Sequence, residues 1–345
     1  GGFEGEVIPV NKNAESVLNR ICHKSVKNIK GKVDLAIIAI PAEFVLEVVR
    51  ECYEKGIRDV LIITSGFKEI GNLALEEKLA DYLDKKKMRA IGVNCLGIYD
   101  AYNKLDTLFL PRYRLERPKE GGIGFVCQSG AIGSAILDIA AEKGHKFSKF
   151  VSYGNATQID ESDLIEYLGN DPATKVICLY VEGIKDGEKF FKTAIKVSKK
   201  KPIIALKGGL TEEGQKAALS HTGSLAGNKE VYFGIFKQAG IIKADSLEEM
   251  FDIATLFEKG INFKGNKILV ITNGGGYGII STDNIANSVN LEMASLSEET
   301  AENLRKIFPS TVNVRNPLDL VGDATTERYK IALENCICDK NVDGI

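Results

Sequence analysis

Short apolar runs alternate with amphipathic segments along the first 115 residues of the chain. Four runs of strand-like length and composition lie at residues 6–10, 34–40, 60–64 and 89–93. The segments between them have helical periodicity, and the one after residue 40 opens at Pro41 and stops at Gly56, as helices often do. Because strand–helix–strand connections make parallel sheets, this pattern predicts an α/β fold with helices on both faces of the sheet.

Ligands of parallel sheets bind at the carboxyl ends of the strands. Four segments of this chain are predicted at that edge: Asn11-Lys12, Pro41-Ala42, Thr64-Ser65-Gly66-Phe67 and Asn94-Cys95-Leu96-Gly97. Each could be an ordinary turn, but four in register favour a nucleotide-type ligand. We expect a further strand and helix to precede Gly1, so the glycine-rich phosphate loop typical of such folds would lie outside this stretch.

Two later units each run from a strand through a tight turn into a helix. Residues 111–121 are predicted to be a linker, after which the strand 122–127 breaks at Gln128-Ser129-Gly130 and a helix continues to Gly144. The strand 266–271 breaks at Thr272-Asn273-Gly274-Gly275-Gly276 before a helix that is predicted from Tyr277. Either helix N-terminus could bind an anion. A simple N-cap by Ser129 is the alternative, and a glycine-rich turn alone is a weak signal. A later helix, 295–308, is predicted with a capping box of Ser295 and Glu298.

His221 lies in the segment Ser220-His221-Thr222-Gly223-Ser224-Leu225-Ala226-Gly227 and is one of three histidines in the chain. A lone loop histidine is usually a solvated side chain, but glycines permit close approach to a ligand and the hydroxyls can donate to an anion. A phosphorylated ring would need the positive ends of the two helices. It would also need a carboxylate on its other nitrogen, for which Glu182, at the end of the strand 175–181, is the candidate; the alternative is an ordinary surface or capping carboxylate.

Charge and composition exclude some classes of protein. A net charge of −2 gives no basic field for nucleic acid or an anionic membrane. The seven cysteines have no metal-ligand spacing, so we expect no metal site in this stretch. Neither a signal peptide nor an apolar run long enough to span a bilayer is present, which predicts a cytoplasmic protein without membrane partners.

The chain resembles the NDP-forming acyl-CoA synthetases, and within them the α subunit or α portion of an ADP-forming acetate–CoA ligase, a relative of succinyl-CoA synthetase. The resemblance covers nearly the whole chain and rests on segments that follow the order seen in that family: Gln128-Ser129-Gly130-Ala131, Tyr180-Val181-Glu182-Gly183, Lys207-Gly208-Gly209, the eight residues from Ser220 to Gly227, and Asn273-Gly274-Gly275-Gly276. It implies a Rossmann-like CoA-binding domain at 1–117 without its N-terminus, a ligase domain with the phosphohistidine loop at 118–260, and an incomplete flavodoxin-like domain at 261–345.

The resemblance also implies roles for single residues. In that family an acyl-CoA reacts with phosphate to give an acyl phosphate, the phosphoryl group passes to a histidine on a loop that swings, and ADP is then phosphorylated. His221 would be the carrier and Glu182 its stabiliser. Ser129-Gly130 and Gly274-Gly275-Gly276 would head the phosphate-binding helices. The CoA site would be lined by Asn11, Lys12, Thr64, Ser65, Gly66, Phe67, Asn94 and Cys95. Val93 stands where the family usually has proline, a departure beside the CoA turn.

The implied partners lie outside the stretch. ATP or ADP and Mg²⁺ would be bound by an ATP-grasp domain, either fused or on a β subunit, and the substrate would be a small carboxylic acid. A hetero-oligomer or homodimer is expected. Two other classes of protein are weighed: a CoA-binding regulatory module of a protein acetyltransferase, against which the intact histidine loop argues, and a nicotinamide-dependent oxidoreductase, which explains the first domain only.

Overall fold

The computed structural model describes residues 2–211, 228–260 and 265–345. The chain forms two compact units, 1–260 and 261–345. Within the described ranges, no helix has both the length and the apolar character that crossing a bilayer requires. The predicted α/β architecture with parallel sheets is confirmed.

The strands of the first unit are β1 Ser16–Val17, β2 Arg20–Ile21, β3 Leu35–Ile38, β4 Asp59–Ile62, β5 Arg89–Gly92, β6 Ile98–Asp100, β7 Leu105–Asp106, β8 Glu120–Cys127, β9 Phe147–Ser152, β10 Val176–Val181, β11 Ile203–Lys207 and β12 Ile242–Lys243. Its described helices are α1 Ala42–Lys55, α2 Leu73–Lys86, α3 Gly130–Lys143, α4 Glu161–Asn170, α5 Gly187–Ser198, α6 Lys229–Ala239 and α7 Leu247–Glu258, with 3₁₀ turns at Val26–Asn28 and Lys68–Ile70.

A parallel sheet in the order β3-β4-β5 carries the first core. Helix α1 buries Val45, Val49 and Cys52 in this core. The predicted strand at 6–10 is wrong: its residues are mostly exposed, and Val10 makes only an isolated bridge to His23. The long helix predicted from Lys68 begins instead at Leu73, because the 3₁₀ turn before it ends at Gly71 in the left-handed conformation.

The second sheet has the order β12-β11-β10-β8-β9-β6-β7 among the described residues. Strands β8 to β12 are parallel, whereas β6 pairs antiparallel with both β9 and β7. One face is covered by α3 and α7, and the other by α4, α5 and α6. The sheet therefore draws strands from both sides of the segment that was predicted to be a linker.

The linker prediction for residues 111–121 is wrong at its C-terminal end. The side chain of Arg117 is buried, and its Nε donates to Asp106 Oδ2 over 3.0 Å, so the guanidinium is neutralised inside the fold. Strand β8 then begins at Glu120. This part of the segment is packed structure rather than a flexible connection.

The second unit contains β13 Lys267–Ile268, β14 Ile271–Thr272, β15 Glu292–Met293, β16 Leu318–Asp319, α8 Gly275–Ala286, α9 Glu298–Ile307 and α10 Thr326–Cys336. Strands β13 and β15, and likewise β14 and β16, are parallel pairs. The N-cap of α9 is Ser297 rather than the predicted Ser295, because Ser297 Oγ accepts the Thr300 N–H at 3.3 Å. Helix α8 starts at Gly275, two residues before the predicted Tyr277.

Candidate functional site

A cavity of about 860 Å³ lies between the carboxyl ends of the first sheet and the start of helix α3. Four residues predicted for the CoA site line it: Thr64, Ser65, Asn94 and Cys95. Gly130, Ala131 and Ser134 line the cavity from the first turns of α3. These four residues at the strand ends therefore lie beside the start of α3, one of the two helices predicted to bind phosphate.

The other residues predicted for the CoA site do not line this cavity. The Phe67 side chain is 1% exposed and packs in the core, so it supports the loop from within. Gly66 has φ +110°, a conformation that favours glycine. Asn11 Oδ1 accepts the N–H groups of Asn13 and Ala14, and Lys12 is exposed.

Phe109 and Leu110 also line the cavity, although no motif or spacing in the sequence marks them. They lie just before Pro111, where the pattern indicated the approach to a linker. Phe109 is 60% exposed, so it places a large apolar ring at the cavity wall. Ser134 lines the same cavity, and its hydroxyl donates to the carbonyl oxygen of Ala131 over 2.7 Å.

Cys95 is a neutral thiol in this wall. Burial raises the pKa of Cys95 to about 12, and its Sγ donates to the carbonyl oxygen of Ile62 over 3.4 Å. A thiolate is therefore absent at neutral pH, and Cys95 shapes the cavity without acting as a nucleophile.

Helix α3 begins directly at the cavity. Ser129 is its N-cap, with Oγ accepting the Ile132 N–H at 3.3 Å, so the simple capping role considered from the sequence is present. Gly130 follows without a side chain, and a Cβ there would find its nearest neighbour, Leu96 N, at 3.7 Å. The first N–H groups of a helix have no intrahelical acceptor, so this end of α3 can receive an anion in the cavity.

Glu182 lies at the carboxyl end of β10 and is 8% exposed. Gln128 Oε1 accepts the N–H of Glu182 at 2.7 Å and that of Gly183 at 3.1 Å. Tyr180 Oη donates to Glu182 Oε1 over 3.3 Å. Since Gln128 immediately precedes the N-cap of α3, the predicted carboxylate and the predicted phosphate helix are joined by a side chain.

Lys207, the last residue of β11, contacts the main chain of Glu182 from the strand next to β10. Its Nζ donates to the carbonyl oxygen of Glu182 over 2.8 Å and also to that of Gly208. The ammonium lies 4.6 Å from the centre of the Tyr232 ring. Burial lowers the pKa of Lys207 to about 8, although the charge of Glu182 opposes the shift. Lys207 was part of a motif in the sequence but received no role there.

His221 and its loop, Ser220 to Gly227, lie outside the described residues. The prediction that Glu182 contacts this ring therefore remains a prediction. Among the described residues, no group of three or more His, Cys, Asp or Glu side chains is arranged to hold a metal ion.

In the second unit, a cavity of about 360 Å³ lies beside the start of α8. Of the three glycines predicted to head this helix, Gly275 lines the cavity, while Gly274 is the N-cap and Gly276 follows in the helix. Asp319, at the end of β16, also lines it, and its Oδ1 accepts the Val321 N–H at 2.9 Å. A carboxylate thus shares this cavity with the helix N-terminus.

Two family models match the chain. A CoA binding domain matches residues 3–101, and a succinyl-CoA ligase-like flavodoxin domain matches residues 120–257. Together with parallel sheets and a cavity at their strand ends, these matches define a CoA ligase-type protein.

Curated relatives carry the comparison further. The chain is 44% identical to the acetate–CoA ligase [ADP-forming] of Methanocaldococcus jannaschii over 94% of its own length, but it spans only 45% of that protein. It is 42% identical to the α subunit of acetate–CoA ligase [ADP-forming] II of Pyrococcus furiosus, covering 98% of this chain and 73% of that subunit. These relatives are ligases and do not support the acetyltransferase-module or oxidoreductase interpretations.

A solved structure has the same fold. The dinucleotide-forming acetyl-coenzyme A synthetase 1 of Ca. Korarchaeum cryptofilum, in complex with phosphate and ADP, superposes with a TM-score of 0.91 at 36% identity, over 99% of this chain and 73% of that one. The chain belongs to the family of ADP-forming acetate–CoA ligases, in which it corresponds to the α subunit or α portion.

Proposed function

We propose that this chain is the α subunit or α portion of an ADP-forming acyl-CoA synthetase, an acid–thiol ligase. The whole enzyme would interconvert acyl-CoA, ADP and phosphate with the free acid, CoA and ATP. The observation that carries the proposal is the cavity in which Thr64, Ser65 and Asn94 face the N-terminal turn of α3. A CoA thioester on the strand ends would there meet a phosphate held by the helix.

The first step follows from this placement. A phosphate oxygen attacks the thioester carbonyl carbon, the C–S bond breaks, and CoA leaves as the thiolate, which takes up a proton. The free N–H groups at Ser129-Gly130 would hold the phosphate and the acyl phosphate that forms. The apolar wall at Phe109 and Leu110 would exclude water from the acyl phosphate.

In the second step, an imidazole nitrogen of His221 attacks phosphorus and the carboxylate leaves. Glu182 would accept the remaining ring N–H, which fixes the tautomer and stabilises the charged intermediate. Gln128 and Lys207 fix the main chain of Glu182, so this carboxylate is held in place before the histidine arrives. Gly274, Gly275 and Gly276 would head the second helix for phosphate.

The remaining parts of the reaction belong to residues outside this chain. We propose an ATP-grasp domain, fused or on a β subunit, that binds ADP or ATP with Mg²⁺, and an assembly that is a hetero-oligomer or homodimer. The acid is a small carboxylic acid. The domain boundaries 1–117, 118–260 and 261–345 stay part of the proposal. All seven cysteines are free thiols, which supports a reducing, cytoplasmic location.

The test is phosphorylation of the chain by acetyl-CoA and radiolabelled phosphate without a partner. We expect label that is labile in acid and stable in base, absent in His221→Asn and weak in Glu182→Gln. His23→Asn, which changes another of the three histidines, is the matched control and should label like the wild type. Full labelling of His221→Asn would overturn the site. No labelling of the wild-type chain with any of a panel of short acyl-CoA thioesters would overturn the function.

A further inference from the structure

A buried network of polar side chains joins the loop at 64–67 to the turn that follows β9. The amide group of Asn155 is its centre, and Asn155 is 6% exposed. Asn155 Nδ2 donates to Glu69 Oε2 over 2.7 Å and to Glu76 Oε2 over 2.9 Å. Thr157 Oγ1 donates to Glu76 Oε1 over 3.1 Å. One side chain from the turn after β9 thus bridges the carboxylates of Glu69 and Glu76.

Glu69 transmits this contact to the loop. Its Oε1 accepts the N–H groups of Gly66 at 2.6 Å and Phe67 at 3.2 Å. Partial burial acts to raise the pKa of Glu69, but the hydrogen bonds from the Gly66 amide and Asn155 together hold that pKa below its ordinary value. The ionised carboxylate therefore fixes two main-chain amides of the loop while Asn155 fixes the carboxylate.

The second ligand segment is bound to the same turn. Asn94 Nδ2 donates to Asn155 Oδ1 over 3.3 Å, and the Asn155 N–H donates to the carbonyl oxygen of Val93 over 3.0 Å. Lys68 is the cation of the network: its Nζ donates to the Asn155 carbonyl oxygen at 2.6 Å and lies 3.4 Å from Glu76 Oε1. Two separate segments at the edge of the first sheet therefore depend on one residue of the turn after β9.

The turn itself is attached to the strand that leads into the phosphate helix. The N–H of Tyr153 donates to the carbonyl oxygen of Cys127 over 3.0 Å, and Cys127 is the last residue of β8. A shift of the loop at 64–67 would thus be transmitted to Cys127, two residues before Ser129, the N-cap of α3. The bond from Asn155 to the Glu69 carboxylate is charge-assisted and of the stronger kind, whereas the bond from Tyr153 to Cys127 is an ordinary main-chain bond.

We propose that Asn155 is a positioning residue that fixes the CoA loop at 64–67 relative to the phosphate helix α3. Asn155 touches no reacting atom and acts through Glu69 and Asn94. The proposal rests on the proposed function, because it takes Thr64, Ser65 and Asn94 to be CoA contacts. It adds a residue of the turn after β9 to the determinants of CoA binding.

The test variant is Asn155→Asp, which puts a third carboxyl against Glu69 and Glu76, beside the ammonium of Lys68. We expect CoA binding by calorimetry to weaken by about tenfold at pH 8, or ~1.4 kcal/mol, because like charges replace two hydrogen bonds. Near pH 5.5 a shared proton should restore most of the affinity. Asn170→Asp, an exposed residue at the end of α4, is the control for added charge and should leave affinity unchanged at both pH values.

Amide hydrogen exchange tests, without CoA, whether Asn155 fixes the loop at 64–67 through Glu69. The N–H groups of Gly66 and Phe67 should exchange faster in Asn155→Asp and at the wild-type rate in Asn170→Asp. If Asn155→Asp fails to fold, Glu69→Gln replaces it, since the glutamine keeps an acceptor for the loop but turns an NH₂ group towards that of Asn155. Wild-type affinity together with wild-type exchange in the folded variant would overturn the proposal. Absence of CoA binding by the wild-type chain would instead overturn the proposed function. The exchange experiment would still decide whether Asn155 fixes the loop at 64–67.

Discussion

The side-chain oxygen of Gln128 lies 2.7 Å from the main-chain nitrogen of Glu182, across 54 residues of sequence. The same oxygen accepts the next amide, that of Gly183. Gln128 directly follows β8 and Glu182 directly follows β10, and these strands are neighbours in the sheet. Their contact fixes the direction in which the chain leaves β10, and hence where the Glu182 carboxylate can lie.

The variant Gln128→Leu should therefore have a lower free energy of unfolding and a lower rate of phosphate labelling. It leaves two buried amides without an acceptor, which should cost about 1–3 kcal/mol in the free energy of unfolding measured with urea. Labelling of the chain by acetyl-CoA and phosphate should slow by roughly tenfold or more if about 1.4 kcal/mol of this is lost from the placement of Glu182. Gln238→Leu, on the exposed side of α6, should change neither quantity. A Gln128→Leu protein with wild-type stability would contradict this account.

Lys207 should make stability depend on alkaline pH. Burial places its pKa at about 8 in the folded chain, below the ordinary value of 10.5 for lysine. Between these values the unfolded chain binds more protons than the folded one, so the contribution of Lys207 rises with pH. It should be fully present above pH 10.5 and lost as pH falls through about 8. The measurement is the difference in unfolding free energy between wild type and Lys207→Met at pH 7, 8.5 and 10.

Lys237→Met removes an exposed charge from α6 and serves as the matched control. A difference in unfolding free energy between wild type and Lys207→Met that is constant across these pH values would contradict a buried Lys207 ammonium beside Glu182. A difference that shrinks as pH rises would contradict it as well.

Glu161 should act in the opposite direction. This first residue of α4 is 1% exposed, and burial raises its pKa to about 7 from an ordinary value of 4.5. Its contribution is fully present below pH 4.5 and is lost as pH rises through about 7, because between these values the unfolded chain ionises while the folded chain keeps the proton. From pH 5 to pH 8, wild type should lose roughly 2–3 kcal/mol relative to Glu161→Gln.

Urea unfolding at the two pH values measures this difference. Glu142→Gln, exposed on α3, is the control for removing a carboxylate. Equal wild-type-minus-variant differences at both pH values would show that Glu161 is not held in a desolvated site.

The turn after β9 should not tolerate a side chain at Gly154. Gly154 has φ +58°, and a Cβ there would overlap the carbonyl oxygen of Val93, which is main chain and cannot move aside. Gly154→Ala should lower the unfolding free energy by roughly 3 kcal/mol or more. Gly144→Ala is a matched control: it has φ +76° but no atom within 4 Å of the added Cβ, so about 1 kcal/mol is expected. Equal losses in the two variants would show that the turn is not packed against Val93.

Periodicity predicted the strands that are continuous and apolar, and it failed where polar residues are buried in pairs. Strand β9 was not predicted, because Lys149 interrupts its apolar pattern. In the fold, Lys149 Nζ lies 3.0 Å from Asp171 Oδ2 and 3.5 Å from Asp100 Oδ2. Strand β6 is three residues long and gains its stability from β9, about fifty residues later. Neither partnership leaves a mark in local sequence.

The same limit applies to the site. The residues with recognisable motifs, such as Ser129 and Glu182, were found at strand ends as the pattern predicted. Gln128 and Lys207 belonged to such motifs without a predicted role, and Asn155 belonged to none, because their contacts join segments that are distant in sequence. Motif spacing indicates which residues are candidates for contact with a ligand. The residues that orient them become visible only when the sheet is assembled.

Strands β6 and β7 complete the second sheet although they follow directly from the first. A genetic exchange that replaced residues 1–97 with the equivalent part of another protein would preserve this edge only if the new neighbour fitted the turn after β9. A cut at residue 117 would carry the edge strands away and expose the unpaired main chain of β9 to other molecules. The two sheets of the unit 1–260 are therefore coupled through these edge strands, and a division at residue 117 would separate β9 from its partner.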